Sequence, residues 1–132
     1  MIKAVIISIV AVASLAACYG PFVQVVRMNG STEKRLADEV PILENANLDA
    51  LGFIPTEKVV AVSCQNKIWE PPANSDNALA QLRYKASLTG GNAVAHVLCE
   101  PEEGTDLRKN CWASVTCRGL AGRVPAKSPT ES

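Results

Sequence analysis

Five cysteines constrain the fold of this 132-residue chain more than any other feature. One stands near the N-terminus and four are spread over the remainder: Cys18, Cys64, Cys99, Cys111 and Cys117. No pair has the C-x-x-C spacing that is typical of structural zinc sites and thiol redox catalysts, so we expect no metal or cofactor. In an exported chain the four later cysteines form two disulfides by default. Four cysteines allow three pairings, and their spacing does not choose among them.

The N-terminus has the pattern of a bacterial lipoprotein precursor. Lys3 precedes an apolar run, residues 4–17, that is shorter than the roughly 20 residues of a transmembrane helix and typical of a signal peptide. The run ends in Leu15-Ala16-Ala17-Cys18, which resembles the lipobox that precedes an acylated cysteine. We predict that residues 1–17 are a signal peptide and that Cys18 carries the lipid anchor. An ordinary cleaved signal peptide is the alternative.

Tyr19 bears on where such a lipoprotein would be sorted. In the enteric sorting pattern, an aspartate directly after the lipidated cysteine retains the protein at the inner membrane, and this chain has Tyr19 there. The sequence therefore predicts an outer-membrane anchor, with the domain facing the periplasm or partly exposed at the cell surface. Residues 18–22 would be the lipidated N-terminus and a short tether.

Residues 23–120 predict a single α+β domain, a small sheet of about four strands with one amphipathic helix packed on it and two disulfides. The helix is predicted from about Asp76 to Leu88, capped by Asn74 or Ser75 and stopped by two glycines. Four runs of β-branched or alternating apolar residues indicate the strands: Phe22–Met28, Lys58–Gln65, Asn92–Cys99 and Cys111–Arg118.

Apolar residues on both faces of Asn92–Cys99 predict a central strand. Simple alternation would place two sets of its residues on opposite faces: Ala93, Ala95, Val97 and Cys99 on one, and Val94, His96 and Leu98 on the other. The segment 31–47 predicts at most a short helical piece, because Pro41 interrupts it. Residues 121–132, rich in Pro, Ser and Lys, predict a disordered tail.

Charge and motifs argue against several classes of function. The chain has 13 basic and 13 acidic residues, so it lacks the basic surface of a nucleic-acid-binding protein. No nucleophile–base pair and no glycine-rich phosphate loop are recognisable. His96 is the sole histidine and stands in an apolar strand, where we expect it to pack in the core or an interface. We therefore do not expect an enzyme.

Two polar loops contain the candidate partner-binding residues, Trp69, Glu102 and Asp106. Trp69 belongs to the loop that contains Pro71-Pro72 and is predicted to pack beneath it as a plug; a partner-facing anchor is the alternative. Glu102 and Asp106 belong to a loop predicted over residues 100–110, whose acidic side chains are expected to be solvated.

The order of these features resembles the RcsF family of outer-membrane lipoproteins, which report envelope stress to the Rcs phosphorelay. The resemblance covers about residues 51–120, with matching spacing of the first two and the last two domain cysteines and a longer loop between the middle two. The residues that carry it are the lipobox, Ser63-Cys64-Gln65, the Pro-Pro loop, one helix, Asn92-Ala93-Val94, Cys99-Glu100, Cys111 and Cys117.

The resemblance implies a helix against a small sheet and two non-consecutive disulfides, Cys64–Cys111 and Cys99–Cys117. It also implies partners. Outer-membrane β-barrel proteins or their assembly machinery would hold the protein in a healthy envelope, and an inner-membrane inhibitor of the phosphorelay would bind it under stress. The family has a long proline-rich linker after its lipidated cysteine, whereas this chain has only the short tether.

Two other functions fit the same predicted fold. A structural outer-membrane lipoprotein would affect envelope integrity without inducing a gene response, and the short tether favours it. A lipoprotein that binds a small ligand or a metal would show a thermal shift when the ligand is added.

Overall fold

The computed structural model of the chain describes residues 28, 30–105, 107 and 110–126. Three predictions lie outside the described residues: the signal peptide, the lipidation site Cys18, and the first strand apart from Met28. Asp106 and residues 127–132 of the predicted tail lie outside them as well. None of the helices in the described part is long and apolar enough to cross a membrane.

The described elements are two short helices with a 3-10 turn between them, then a strand, a longer helix and two strands. They are α1 (Ser31–Asp38), a 3-10 turn (Asn45–Asn47), α2 (Leu48–Leu51), β1 (Ile54–Gln65), α3 (Ser75–Leu88), β2 (Ala93–Glu102) and β3 (Ala113–Arg123). The strands form one antiparallel sheet in the order β1–β3–β2, with helices packed on it and two disulfides. The predicted α+β class is confirmed. The described residues supply three strands, because the predicted first strand lies almost wholly outside them.

Helix α3 covers one face of the sheet with small side chains. Asn74 caps it, since its Oδ1 accepts a hydrogen bond of 2.8 Å from the backbone N–H of Asn77. Gly90, at φ = 78°, provides the left-handed residue after its C-terminus. The buried core between α3 and the sheet comprises Val40, Val59, Ala61, Ala78, Leu82, Ala86, Val94, Val115, Cys117 and Ala121.

The charged segment after Gly30 is more ordered than its sequence indicates. It forms α1, whose Ala37 is buried, and continues to Val40 in the core. Arg83 of α3 holds the end of α1, donating from Nε to the Val40 carbonyl (2.6 Å) and from Nη2 to the Asp38 carbonyl (3.2 Å). A guanidinium suits this position because the last carbonyls of a helix lack partners within it.

The predicted central strand lies at an edge of the sheet, and β3 is central. The prediction of a central strand followed from the apolar residues on both faces of this strand. In the structure, the segment before α2 covers the free edge of the strand. The Leu43 N–H donates to the Val94 carbonyl (2.8 Å), and the Val94 N–H donates to the Pro41 carbonyl (3.0 Å). In β3, a Cβ on Gly122 would lie 2.5 Å from the Ile54 carbonyl oxygen, so this central strand needs glycine there.

An irregularity in β2 overturns the predicted alternation of its faces. Ala95 pairs with Leu120, but the next pairs are Leu98 with Arg118 and then Cys99 with Cys117, so two residues of β2 oppose one of β3. This extra residue is a β-bulge, and it switches the side chains that follow to the opposite face. Val97 and Cys99 therefore pack on the α3 side with Val94, while Ala93 and Ala95 face away.

All three strands extend beyond their predicted bounds, and β1 begins at Ile54, four residues before its predicted start. β2 continues to Glu102, into the predicted loop, because Glu100, Pro101 and Glu102 pair with β3. β3 continues to Arg123, and its buried Ala121 belongs to the core and not to a disordered tail. Backbone pairing on both sides of β3 outweighs the polar and glycine-rich composition that marked these ends as loops.

Candidate functional site: an exposed aromatic tip

One end of the sheet carries an exposed group of apolar side chains. Gln65 of β1 pairs with Ala113 of β3, and Glu102 of β2 pairs with Ser114, so two connections leave the sheet at this end. Four large apolar side chains in these connections are exposed, and we call them the aromatic tip: Ile68 (76%), Trp69 (78%), Leu107 (87%) and Trp112 (54%). Exposed apolar groups at one place on a small domain mark an interaction site more often than single ones do.

The prediction that Trp69 packs beneath its loop as a plug is wrong, because its side chain is exposed. The ammonium of Lys67 lies 5.8 Å from the centroid of the Trp69 ring, within the range of a cation–π contact. Trp69 therefore projects from the domain, as the alternative of a partner-facing anchor required.

Hydrogen bonds close the turn that carries Trp69. The Asn66 N–H donates to Glu70 Oε2 (3.0 Å), the Glu70 N–H donates to the Lys67 carbonyl (3.1 Å), and Gln65 Nε2 donates to the Glu70 carbonyl (3.1 Å). The Asn66 N–H, the Lys67 carbonyl and both backbone groups of Glu70 are thereby satisfied within the turn. Trp69 is therefore exposed by a turn whose conformation hydrogen bonds define, and not because a covering segment is missing.

The second connection is fastened to the first beside Trp112. The Trp112 N–H donates to the Gln65 carbonyl (2.8 Å), and the disulfide Cys64–Cys111 joins the adjacent residues, with a Cα–Cα distance of 5.4 Å. The two tryptophans thus stand on segments that a hydrogen bond and a covalent bond hold at the same end of the sheet. Of the tip residues, only Trp69 is predicted from the sequence as a contact residue. The signal for the others is that Ile68, Leu107 and Trp112 are apolar residues in polar stretches of the sequence.

Glu102 differs from the solvated loop residue that the sequence predicts. Its carboxylate accepts hydrogen bonds from Ser114 Oγ (3.3 Å) and Thr116 Oγ1 (3.1 Å), two hydroxyls of buried residues on β3. This half-buried carboxylate fixes the end of β2 to β3. Glu102 therefore lies near the tip, but its carboxylate is hydrogen-bonded within the domain.

His96 is exposed, so its predicted placement in the core is wrong. It lies at the β-bulge, where its backbone N–H donates to Asn45 Oδ1 (3.1 Å). No group of three or more His, Cys, Asp or Glu side chains among the described residues is arranged to hold a metal ion.

The two disulfides lie on opposite faces of the sheet. Cys117 packs in the core beneath α3, and its bond to Cys99 joins directly paired residues of neighbouring strands, 4.0 Å apart at Cα. Cys64 stands an odd number of residues from Ala61, the β1 partner of Cys117, and so faces the other side. One bond joins β2 to β3, and the other joins β1 to Cys111, two residues before the start of β3.

No family model matches the chain. No curated protein matches it significantly.

Proposed function

We propose that the chain is an outer-membrane lipoprotein that senses envelope stress and signals by protein–protein contact to an inner-membrane regulator of a phosphorelay, as in the RcsF family that its sequence resembles. The observation that supports this proposal is the disulfide pairing. Of the three pairings open to four cysteines, the chain has the interleaved one that the resemblance implies, Cys64–Cys111 with Cys99–Cys117.

The proposed mode of action is contact and not catalysis. A cross-linked domain with a short, fixed loop at one end presents a constant surface to its partners, and such preorganisation lowers the entropy cost of binding. The partners we propose are β-barrel proteins or their assembly factors at rest and the inner-membrane regulator under stress.

Photocrosslinking in intact cells tests this proposal. A photoreactive residue is placed, one variant at a time, on the tip at Trp69, on the sheet at Glu100 and on α1 at Arg35, all exposed positions. Captured proteins are identified by mass spectrometry with and without envelope stress. We expect one surface to exchange an outer-membrane partner for an inner-membrane one under stress. The same captured set in both conditions, at every position, contradicts the proposal.

A structural lipoprotein without signalling output is the second candidate, favoured by the length of chain before the domain. Helix α1 begins at Ser31, so residues 19–30 separate it from Cys18 and span at most about 40 Å when fully extended. This candidate predicts that deleting the protein increases detergent sensitivity while a stress-response reporter stays silent. Reporter induction that depends on the protein contradicts it.

A further inference from the structure

We propose that the aromatic tip rests in the headgroup region of a lipid bilayer and forms a second membrane contact of the domain. This inference rests on the proposed function in one respect, the lipid anchor at Cys18. The anchor and the short chain after it keep the domain beside a membrane, which gives the tip a high effective concentration of lipid surface. A single weak contact then suffices to orient the domain.

The composition of the tip fits a lipid–water interface. Tryptophan is enriched at this depth because its ring is apolar and its N–H is polar, and both tryptophans of the chain belong to the tip. Ile68 and Leu107 are more than three-quarters exposed and bring aliphatic surface to the same end. Lys67, beside the Trp69 ring, supplies an ammonium that can reach a lipid phosphate.

The turn that carries Trp69 meets part of the requirement for entering this region. Backbone groups that leave water need partners within the protein. The Asn66 N–H and both backbone groups of Glu70 have such partners, as described above. These groups of the turn need not lose a hydrogen bond when the tip approaches lipid.

Charge indicates that apolar burial, and not electrostatic attraction, drives this contact. The two connections, residues 66–74 and 103–112, carry three basic and three acidic side chains: Lys67, Arg108, Lys109, Glu70, Glu103 and Asp106. Balanced charge gives no net attraction to anionic lipid. We expect the contact to persist at high ionic strength, because salt screens charge pairs and leaves apolar burial intact.

Tryptophan fluorescence of the lipidated protein reports on the tip alone, since the chain has two tryptophans and both lie there. The protein is reconstituted into phosphatidylethanolamine–phosphatidylglycerol vesicles, with or without bromine on the acyl chains near the headgroup. We expect the brominated lipid to quench the fluorescence. Quenching by aqueous iodide should be at least about twofold weaker than for tryptophan that is fully exposed to water without detergent.

Matched variants keep both tryptophans in place. Ile68→Ser combined with Leu107→Ser should remove most of the quenching by brominated lipid. Leu88→Ser changes an exposed leucine (64%) at the C-terminal end of α3, away from the tip, and should leave the quenching unchanged. Near-ultraviolet circular dichroism verifies that each variant is folded.

Three results would overturn the assignment. They are equal fluorescence in brominated and plain vesicles, full quenching of the double variant, and quenching that appears only when outer-membrane proteins are added, which would identify a protein partner. Loss of quenching at high salt would contradict the apolar mechanism. Intact-mass measurement of the acyl chains on Cys18 tests the anchor separately, and crosslinking tests the stress signalling, so failure of the proposed function is distinguishable from failure of the tip contact.

Discussion

His96 occupies a backbone conformation that most side chains avoid, with φ = 52°. His96 lies in the bulge, and the hydrogen bond from its N–H to Asn45 Oδ1 fastens the bulge to the chain before α2. The residue thus acts through its backbone. Its side chain is exposed and takes no part in the hydrophobic core.

Substitution of His96 should reverse the usual order of residue preferences in a strand. We expect His96→Val to lower the free energy of unfolding by about 1–2 kcal/mol, because a β-branched residue is strained at positive φ. His96→Gly should be tolerated better, since glycine adopts positive φ freely. Urea denaturation measures both. At Leu98, which is exposed on the same strand beyond the bulge, the valine variant should be more stable than the glycine variant. The same order of stability at both positions would contradict this account.

Lys85 on α3 is half-buried, and its Nζ donates to the Val60 carbonyl of β1 (2.8 Å). Burial lowers the pKa of Lys85 from its usual 10.5, because desolvation disfavours the ammonium. Between the lowered pKa and 10.5 the unfolded chain binds more protons than the folded one. The contribution of Lys85 to the free energy of unfolding should therefore rise with pH across this alkaline window.

Lys85→Met removes the titrating group and fills a similar volume. The difference in unfolding free energy between the natural chain and this variant should be constant at neutral pH and should shift in favour of the natural chain as the pH approaches 10.5. Chemical denaturation at a series of pH values measures the difference. A difference that stays flat, or moves in the opposite direction, would show that burial does not govern this lysine.

Among the elements, α1 depends on tertiary contacts for its order. It is a short, charged helix with one buried residue, and such helices are marginal by themselves. Its docking rests on Val40 in the core and on the two hydrogen bonds of Arg83 to the carbonyls of Asp38, the last residue of α1, and Val40. The order of the segment is therefore decided on α3, over forty residues further along the chain.

Removing the guanidinium should release α1 and leave the sheet in place. We expect Arg83→Met to cost about 2 kcal/mol, the loss of two hydrogen bonds from a charged donor. Hydrogen exchange should accelerate for the amides of α1 and not for those of β3. Arg35→Met is the matched control, since Arg35 pairs with Glu39 on the surface (3.3 Å) and should contribute little. Equal effects of the two substitutions would rule out this role for Arg83.

At the scale of the whole molecule, the disulfides compensate for a small core. The buried side chains under α3 include four alanines, which bury little apolar surface. The two bonds close loops with separations of 47 and 18 residues on opposite faces of the sheet. Constraint of the unfolded chain is worth about 4 and 3 kcal/mol for loops of these lengths.

Loss of either disulfide should bring the domain close to unfolding. We expect Cys64→Ala with Cys111→Ala, or Cys99→Ala with Cys117→Ala, to lower the free energy of unfolding by about 3–4 kcal/mol, out of the 5–15 kcal/mol typical of domains. The urea midpoint measures this change. Cys18→Ser, which removes a cysteine outside both bonds, should not shift the midpoint. A shift as large as that of the paired variants would mean that thiol chemistry, and not loop closure, destabilises the chain.

The sequence by itself determined the α+β class, helix α3 with its cap and glycine stop, and the existence of three of the strands. These follow from local periodicity and turn chemistry, which neighbouring residues fix among themselves. Composition and cysteine count also indicated two disulfides, and the family resemblance supplied their pairing, which the structure confirms.

Only the tertiary structure decided which strand is central, which side chains share a face, and which apolar residues stay in water. The bulge at His96 depends on pairing with β3, so alternation along β2 cannot reveal it. The exposure of Trp69 depends on hydrogen bonds that close its turn, and periodicity says nothing of them. Contacts between residues distant in sequence carry this information, and they exist only once the chain is folded.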